Sequence, residues 1–187
     1  MSFRLAALAT FSLCAPLAAV DTWVVDPGHS TAMFKVLHFG AGHIYGRFND
    51  LAGTVDFDAA DATKNKVSVT IKTESVDSAL PKRDDHLRGT DFFNAKQFPT
   101  MTFASKEWKP AGDKKWDVTG TLTIKGISKE ITIPVVLIGT GVHALTQKNL
   151  AGFEATFSVK RSDFGLNYMP GALGEDVAVV LALEAVK

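Results

Sequence analysis

Cysteine is almost missing from this chain: Cys14 is the only one among 187 residues. One thiol cannot close an internal disulfide or supply a thiolate cluster, so disulfide scaffolds, Fe–S centres and thiolate zinc sites are excluded. Net charge is missing as well, with 20 Lys and Arg against 20 Asp and Glu. That balance removes the basic footprint of a nucleic-acid binder and the high charge of a disordered chain. No stretch approaches the roughly 18 uncharged apolar residues of a membrane-spanning helix, so no stable membrane span is expected. There is no Gly-x-Ser-x-Gly elbow. The glycines of Gly40-Ala41-Gly42-His43-Ile44-Tyr45-Gly46 miss the nucleotide-loop spacing by one residue and join strand to strand, with no helix end to receive phosphate. Tyr and Trp are scarce, at 2 and 3, whereas Phe is abundant, at 13. Phe has no polar handle, so the chain has much apolar surface to hide.

The first residues have a transport pattern. Arg4 precedes an apolar run, Leu5 to Leu13, and then Ala15-Pro16-Leu17-Ala18-Ala19. This is the layout of a secretory signal peptide, cleaved near Ala19. Residues 1–19 are therefore read as signal and 20–187 as one domain, since no repeat, linker or low-complexity tract divides them. Cys14 leaves with the signal, and the bulk of Leu13 before it argues against lipoprotein acylation. Loss of Arg4 leaves 19 basic residues against 20 acidic ones. An exported domain without disulfides must be held by its core, and points to a bacterial periplasm.

Period-two alternation dominates the rest. It is clean in Lys66–Lys72, Trp116–Lys125 and Phe153–Lys160, where apolar and polar residues take turns. Further strands are expected at 22–26, 30–39, 43–58, 100–108, 130–140 and 176–186, separated by turn signals such as Asp26-Pro27-Gly28, Lys125-Gly126 and Pro170-Gly171. A break at Asn49-Asp50-Leu51-Ala52 looks like a bulge or tight turn. The stretch 81–94 lacks alternation and is expected to form one or two helical turns, with an Asp as N-cap, presenting Leu87, Phe92 and Phe93 together. The class is all-β and antiparallel. About eight such strands can close into a barrel with room for one elongated ligand or pack as a solid sandwich, and the pattern does not separate the two.

Several segments then match a known family. Asp26-Pro27-Gly28-His29-Ser30 with Phe34, Val36, His38-Phe39-Gly40, Gly46-Arg47-Phe48 and Gly53 resembles the opening of YceI-family proteins. So do Asp85-His86-Leu87-Arg88, Asp91-Phe92-Phe93-Asn94 and Phe98-Pro99 with Phe103 and Ser105. Gly120–Gly126, Arg161-Ser162-Asp163-Phe164-Gly165 and Glu184 complete the series, from about Trp23 to Lys187. The resemblance implies a periplasmic, lipocalin-like, extended eight-stranded antiparallel barrel with a short helical insertion near residues 82–94. It also implies a long isoprenoid lipid, of the polyprenyl-phosphate or quinone type, held in an apolar tunnel, with no cofactor and no proven reaction.

Parity assigns the tunnel wall. Phe34, Val36 and His38 share one face of their strand while Lys35 takes the other, so the His38 face should point inward. Phe48, Phe103 and Phe157 lie on comparable faces, and Leu87, Phe92 and Phe93 join them from the helical stretch. Arg161 falls on the inward parity of Phe153, Ala155, Phe157 and Val159. A buried guanidinium needs a partner. It is expected to pair with an acid such as Asp163, Asp91 or Glu184, to meet a pyrophosphate or quinone oxygen at the tunnel entrance, or to do both. His38 is either a hydrogen-bonded core residue or a ligand contact. Among His29, His38, His43, His86 and His143 there is no His-x-His or His-x3-His pair, so no metal site is expected. Asp84-Asp85-His86 reads as a helix-capping acid beside a surface histidine rather than an acid–base pair.

The expected function is non-enzymatic binding, transport or sequestration of an isoprenoid lipid or isoprenoid quinone. The alternatives are a small periplasmic enzyme acting on a bound lipid and a closed structural or stress-protective β domain. A homodimer through an exposed barrel face is compatible with all three.

Overall fold

The computed structural model describes residues 20–187; the expected signal segment, with Cys14, lies outside them. The chain forms strands β1 (Asp21–Val25), β2 (Thr31–His38), β3 (Gly42–Phe48), β4 (Leu51–Phe57), β5 (Lys66–Lys72) and β6 (Val76–Asp77). One helix, α1 (Pro81–Arg88), follows. The long strands β7 (Thr100–Gly112), β8 (Lys115–Ile124), β9 (Ile127–Val142), β10 (Asn149–Lys160) and β11 (Leu173–Val186) complete it.

These strands lie on eight lines around a closed, wholly antiparallel barrel. β1 and β2 are one line, since both pair with β11: Val24 opposes Val186 and His38 opposes Leu173. β3 and β4 are another, interrupted at Asn49-Asp50 where the break was expected. β5 and β6 are a third, interrupted by a 3-10 turn at 73–75. The order then runs β5, β7, β8, β9, β10, β11, and β11 returns to β1. Closure pairs every line with both neighbours over part of its length, which leaves few free edges.

Sequence parity explains the burial. In β8, Trp116, Val118 and Gly120 are buried and the residues between them face outward. The β8–β9 hairpin turns on Lys125 and Gly126, both at positive φ (50° and 75°), the backbone of a two-residue type I′ turn.

Two places around the wall are not hydrogen-bonded. β6 pairs with β3 alone, and the pairing of β5 with β7 ends at Lys72↔Thr100. The gap beyond is covered by residues 78–99, including α1. Likewise β10 leaves β9 after Ala155↔Val135, next to Pro134, which has no N–H to extend a ladder. That gap is covered by a 3-10 turn at Arg161–Phe164 and the loop after it. Both gaps lie at the same end of the barrel.

α1 starts differently from expectation. Pro81 occupies its first position, where a missing N–H costs nothing, and Leu80 precedes it with no side-chain cap. The expected Asp cap is instead Asp84, buried in the first turn, where it accepts from the N–H and hydroxyl of Ser78.

The interior has two halves. At the end away from α1, Trp23, Val25, Val55, Trp108, Trp116 and Phe153 are buried together. Phe57 stands edge-on to Trp116 and Phe153 at 5.4 and 5.2 Å, which fills the section with rings. At mid-barrel the Phe103 ring lies over Gly120, where a Cβ would come within 2.6 Å of the ring and 2.5 Å of the Ala104 carbonyl oxygen. Gly120→Ala should therefore destabilise the fold by about 1–3 kcal/mol through overpacking. A urea titration reads this as a lower midpoint with an unchanged slope.

Candidate functional site

The half of the barrel next to α1 is not filled. Behind the two gaps lies a chamber of about 170 Å³. One water needs roughly 10–15 Å³ of free space, so this is a chamber and not a packing defect. A smaller void, about 30 Å³, lies deeper, on the far side of Val69, Phe103, Ile133 and Leu181, which border both.

The residues that line the chamber follow from the strand lines. β2 contributes Phe34 and Val36, β3 contributes Phe48, and Phe103 and Phe157 come from β7 and β10. Leu87, on α1, and Phe92 and Phe93, in the turn after it, close one side. The ring of Phe34 occupies the space a Cβ at Gly46 would need, 2.3 Å away, so that glycine sets how far the ring can lie back against the wall. Phe48 sits between Phe34 and Phe93, at ring distances of 5.8 and 5.4 Å. Among the lining residues there is no carboxylate, histidine, cysteine, serine or lysine; Thr102 and Arg161 are the polar exceptions.

His38 departs from expectation. It is exposed and does not border the chamber, its ring edge-on to Phe39 at 4.6 Å. Its parity is that of Phe34 and Val36, but it sits at the last position of β2, at the rim of the barrel, where its neighbours Gly42 and Leu173 are also strand ends. Parity sets a side, while the length of the wall sets whether anything lies on that side.

Arg161 also corrects the expectation of an acidic partner. It is buried, at 5% exposure, and none of Asp163, Asp91 or Glu184 pairs with it. Its donors point at backbone carbonyls. Nε donates to Gly174 O at 3.0 Å, and one terminal nitrogen to Leu166 O and, at 2.8 Å, to Tyr168 O. The other reaches Met169 O and Leu173 O at 3.5 and 3.4 Å. A guanidinium has five N–H groups, and all five are directed at the loop 165–172 and the first two residues of β11, leaving none for a head group. Glu175, one residue on, is held below the usual carboxylate range by the Ser162 hydroxyl, with the Arg161 charge a smaller cause.

The two segments that cover the end are tied to each other. His86, Phe92 and Tyr168 form a three-ring cluster with separations of 5.0, 5.0 and 5.2 Å. The His86 ring is held by Asp91 at 2.9 Å, and Lys125 donates to Thr90 O and Gly165 O, one carbonyl from each segment. The Asp85-His86 neighbourhood thus serves contact between covers.

Parity reasoning missed part of the wall. Val177 and Val179 of β11 border the chamber, but Val177-Ala178-Val179-Val180-Leu181-Ala182 is apolar at every position and shows no face. Phe164 and Leu166 border it from a 3-10 turn and a loop, where no period exists to read.

Because Arg161 organises the loop that closes this end, Arg161→Lys should strip several carbonyls of their donors. A loss of about 2–4 kcal/mol in unfolding free energy is expected, with the loop becoming sensitive to limited proteolysis before the barrel does.

Comparison with known proteins places the chain. Residues 23–185 match the model of the YceI-like domain. A UPF0312 protein of Pseudomonas aeruginosa is 40% identical over 159 residues, covering 85% of this chain and 82% of that protein. Protein YceI of Salmonella arizonae is 36% identical over 187 residues, covering 100% and 96%. Among solved structures, Burkholderia cenocepacia BcnA superposes with a TM-score of 0.79 at 29% identity, covering 86% of this chain and 99% of that one. A domain from Saccharophagus degradans, described as polyisoprenoid-binding and implicated in plant cell wall breakdown, shares the fold at a TM-score of 0.68 and 16% identity, covering 90% and 99%. With its closed eight-line barrel, its helical cover and a domain match over nearly all the described residues, this chain belongs to the YceI family.

Proposed function

We propose that this protein binds and carries, or sequesters, a long isoprenoid lipid in the chamber, of the polyprenyl-phosphate or isoprenoid-quinone type, without transforming it, in the periplasm. The observation that carries the reading is the chamber itself: a space many waters in size whose lining is apolar almost throughout. Water gains little from such walls and a hydrocarbon gains much. Each buried methylene contributes about 0.8 kcal/mol, so a five-carbon unit offers roughly 3–4 kcal/mol. Association costs on the order of 4–15 kcal/mol, so a tail of several units binds without needing polar contacts. Length and shape would then select the ligand.

Two further observations support carriage over catalysis. Nothing along the chamber offers a nucleophile with a base, and Arg161 spends its donors on the loop. The polyisoprenoid named for the Saccharophagus domain agrees with this reading, although at 16% identity that likeness is one of fold. The His86–Phe92–Tyr168 cluster gives the end a cover whose two parts must separate for a chain to pass.

Native mass spectrometry of protein purified without detergent should show an added mass that extraction identifies as a prenyl lipid or quinone. Val36→Asp, which puts a charge in the wall, should remove that mass while the circular dichroism spectrum stays β-rich. A protein that stays bare and also ignores added prenyl lipid overturns the reading. Loosening the cover by His86→Ala with Tyr168→Ala should speed release of bound lipid to acceptor vesicles without abolishing binding.

A further inference from the structure

On the outer surface, far along the wall from α1, the line formed by β1 and β2 is interrupted by residues 26–30. Three side chains meet there. His29 Nδ1 lies 2.9 Å from Asp26 Oδ2 and 3.7 Å from Glu184 Oε1. The ligand atoms of all three lie within 4.8 Å of one another.

The positions are set by backbone. Asp26 donates its N–H to Glu184 O at 2.8 Å. The Ser30 hydroxyl both accepts from Glu184 N at 3.0 Å and donates to Glu184 O at 3.3 Å. The turn and β11 are therefore in register before any side chain interacts. Gly28 N–H then holds Asp26 Oδ1 at 2.9 Å, which turns Oδ2 towards the imidazole. On β11 the neighbours Leu183 and Ala185 are buried, so Glu184 projects outward into the same spot.

The charge is unbalanced. Among the described residues, neither Asp26 nor Glu184 makes an ion pair with Lys or Arg; His29 is their shared basic neighbour, and His143 is a weaker one of Asp26. Neutral imidazole leaves two carboxylates facing each other, an arrangement that a doubly charged cation completes.

The geometry points to a divalent transition-metal site, zinc first, made by Asp26, His29 and Glu184 with water filling the remaining position. Bonds of about 2.0–2.1 Å in a tetrahedron place ligand atoms roughly 3.3 Å apart, and the two observed separations from His29 bracket that value. A nitrogen and two oxygens suit zinc or its neighbours better than calcium or magnesium, which take oxygens. The spacing of the histidines spoke against metal because it asked for two of them; one histidine with two acids, one of them 155 residues away, has no local signature. The ion would pin the interrupted first line to the last strand. This inference is independent of the lipid reading, since the site lies outside the chamber.

The test is a titration of zinc chloride into tag-free, chelator-treated full chain after removal of the signal, by calorimetry and thermal melting. One ion per chain is expected, with a raised melting temperature and no such rise with calcium. Binding should be lost in His29→Ala and in Glu184→Gln, the second keeping every backbone anchor. Asp91→Asn, at the separate His86 pair, should bind as the parent does. Cobalt in place of zinc should give the visible bands of a low-coordinate nitrogen–oxygen site. No binding by the folded parent, or equal binding by folded His29→Ala, overturns the proposal.

Discussion

β11 is bonded along one side to β10 and along the other to both β1 and β2, so the last strand holds the first two. The closed barrel depends on this pairing. The first line is broken at 26–30, and the break is bridged by Ser30 to the backbone of Glu184 and by Asp26 N–H to the same residue's carbonyl. Closure is thus secured at the point where the ladder is interrupted, and a polar cluster stands on the outside of that seam.

A closed sheet fixes a circumference, and side chains then decide what remains inside. At one end Trp23, Trp108 and Trp116 with Phe57 and Phe153 fill the section but for a void of about 30 Å³. Towards the other end, ladder bonding lapses between β6 and β7 and between β9 and β10, which widens the wall, and Phe34 lies back over Gly46. Width and emptiness therefore coincide. The gaps would expose the interior to water, and the helical segment and the loop after Phe164 cover them.

The polar chemistry is kept out of the chamber. Arg161 is buried, yet its N–H groups satisfy the carbonyls of a loop that has no regular structure of its own. A side chain that looked suited to bind a head group instead makes the cover possible. His86 with Asp91 works at the junction of the two covers, and His29 with its carboxylates on the opposite seam.

Alternation in β5, β8 and β10 was enough to specify strands, faces and an antiparallel all-β class, because period two is a local property of the backbone. The family pattern, read from ordered motifs, extended this to a barrel. Phe34, Val36, Phe48, Phe103 and Phe157 were correctly placed on the inner wall for the same local reason, and Leu87, Phe92 and Phe93 stood out as apolar residues where alternation fails. Three things needed the tertiary structure. Whether the inside is hollow depends on how rings from distant strands share a section, so one half is nearly filled and the other is open. His38 has inward parity but stands exposed at the rim, and that depends on where the neighbouring strands end. Arg161 finds its partners among carbonyls, and Glu184 meets His29, only because folding brings loop to turn and the last strand to the first. Where a strand alternates, the sequence by itself determined which side each residue faces; only the closed fold decided what, if anything, it faces.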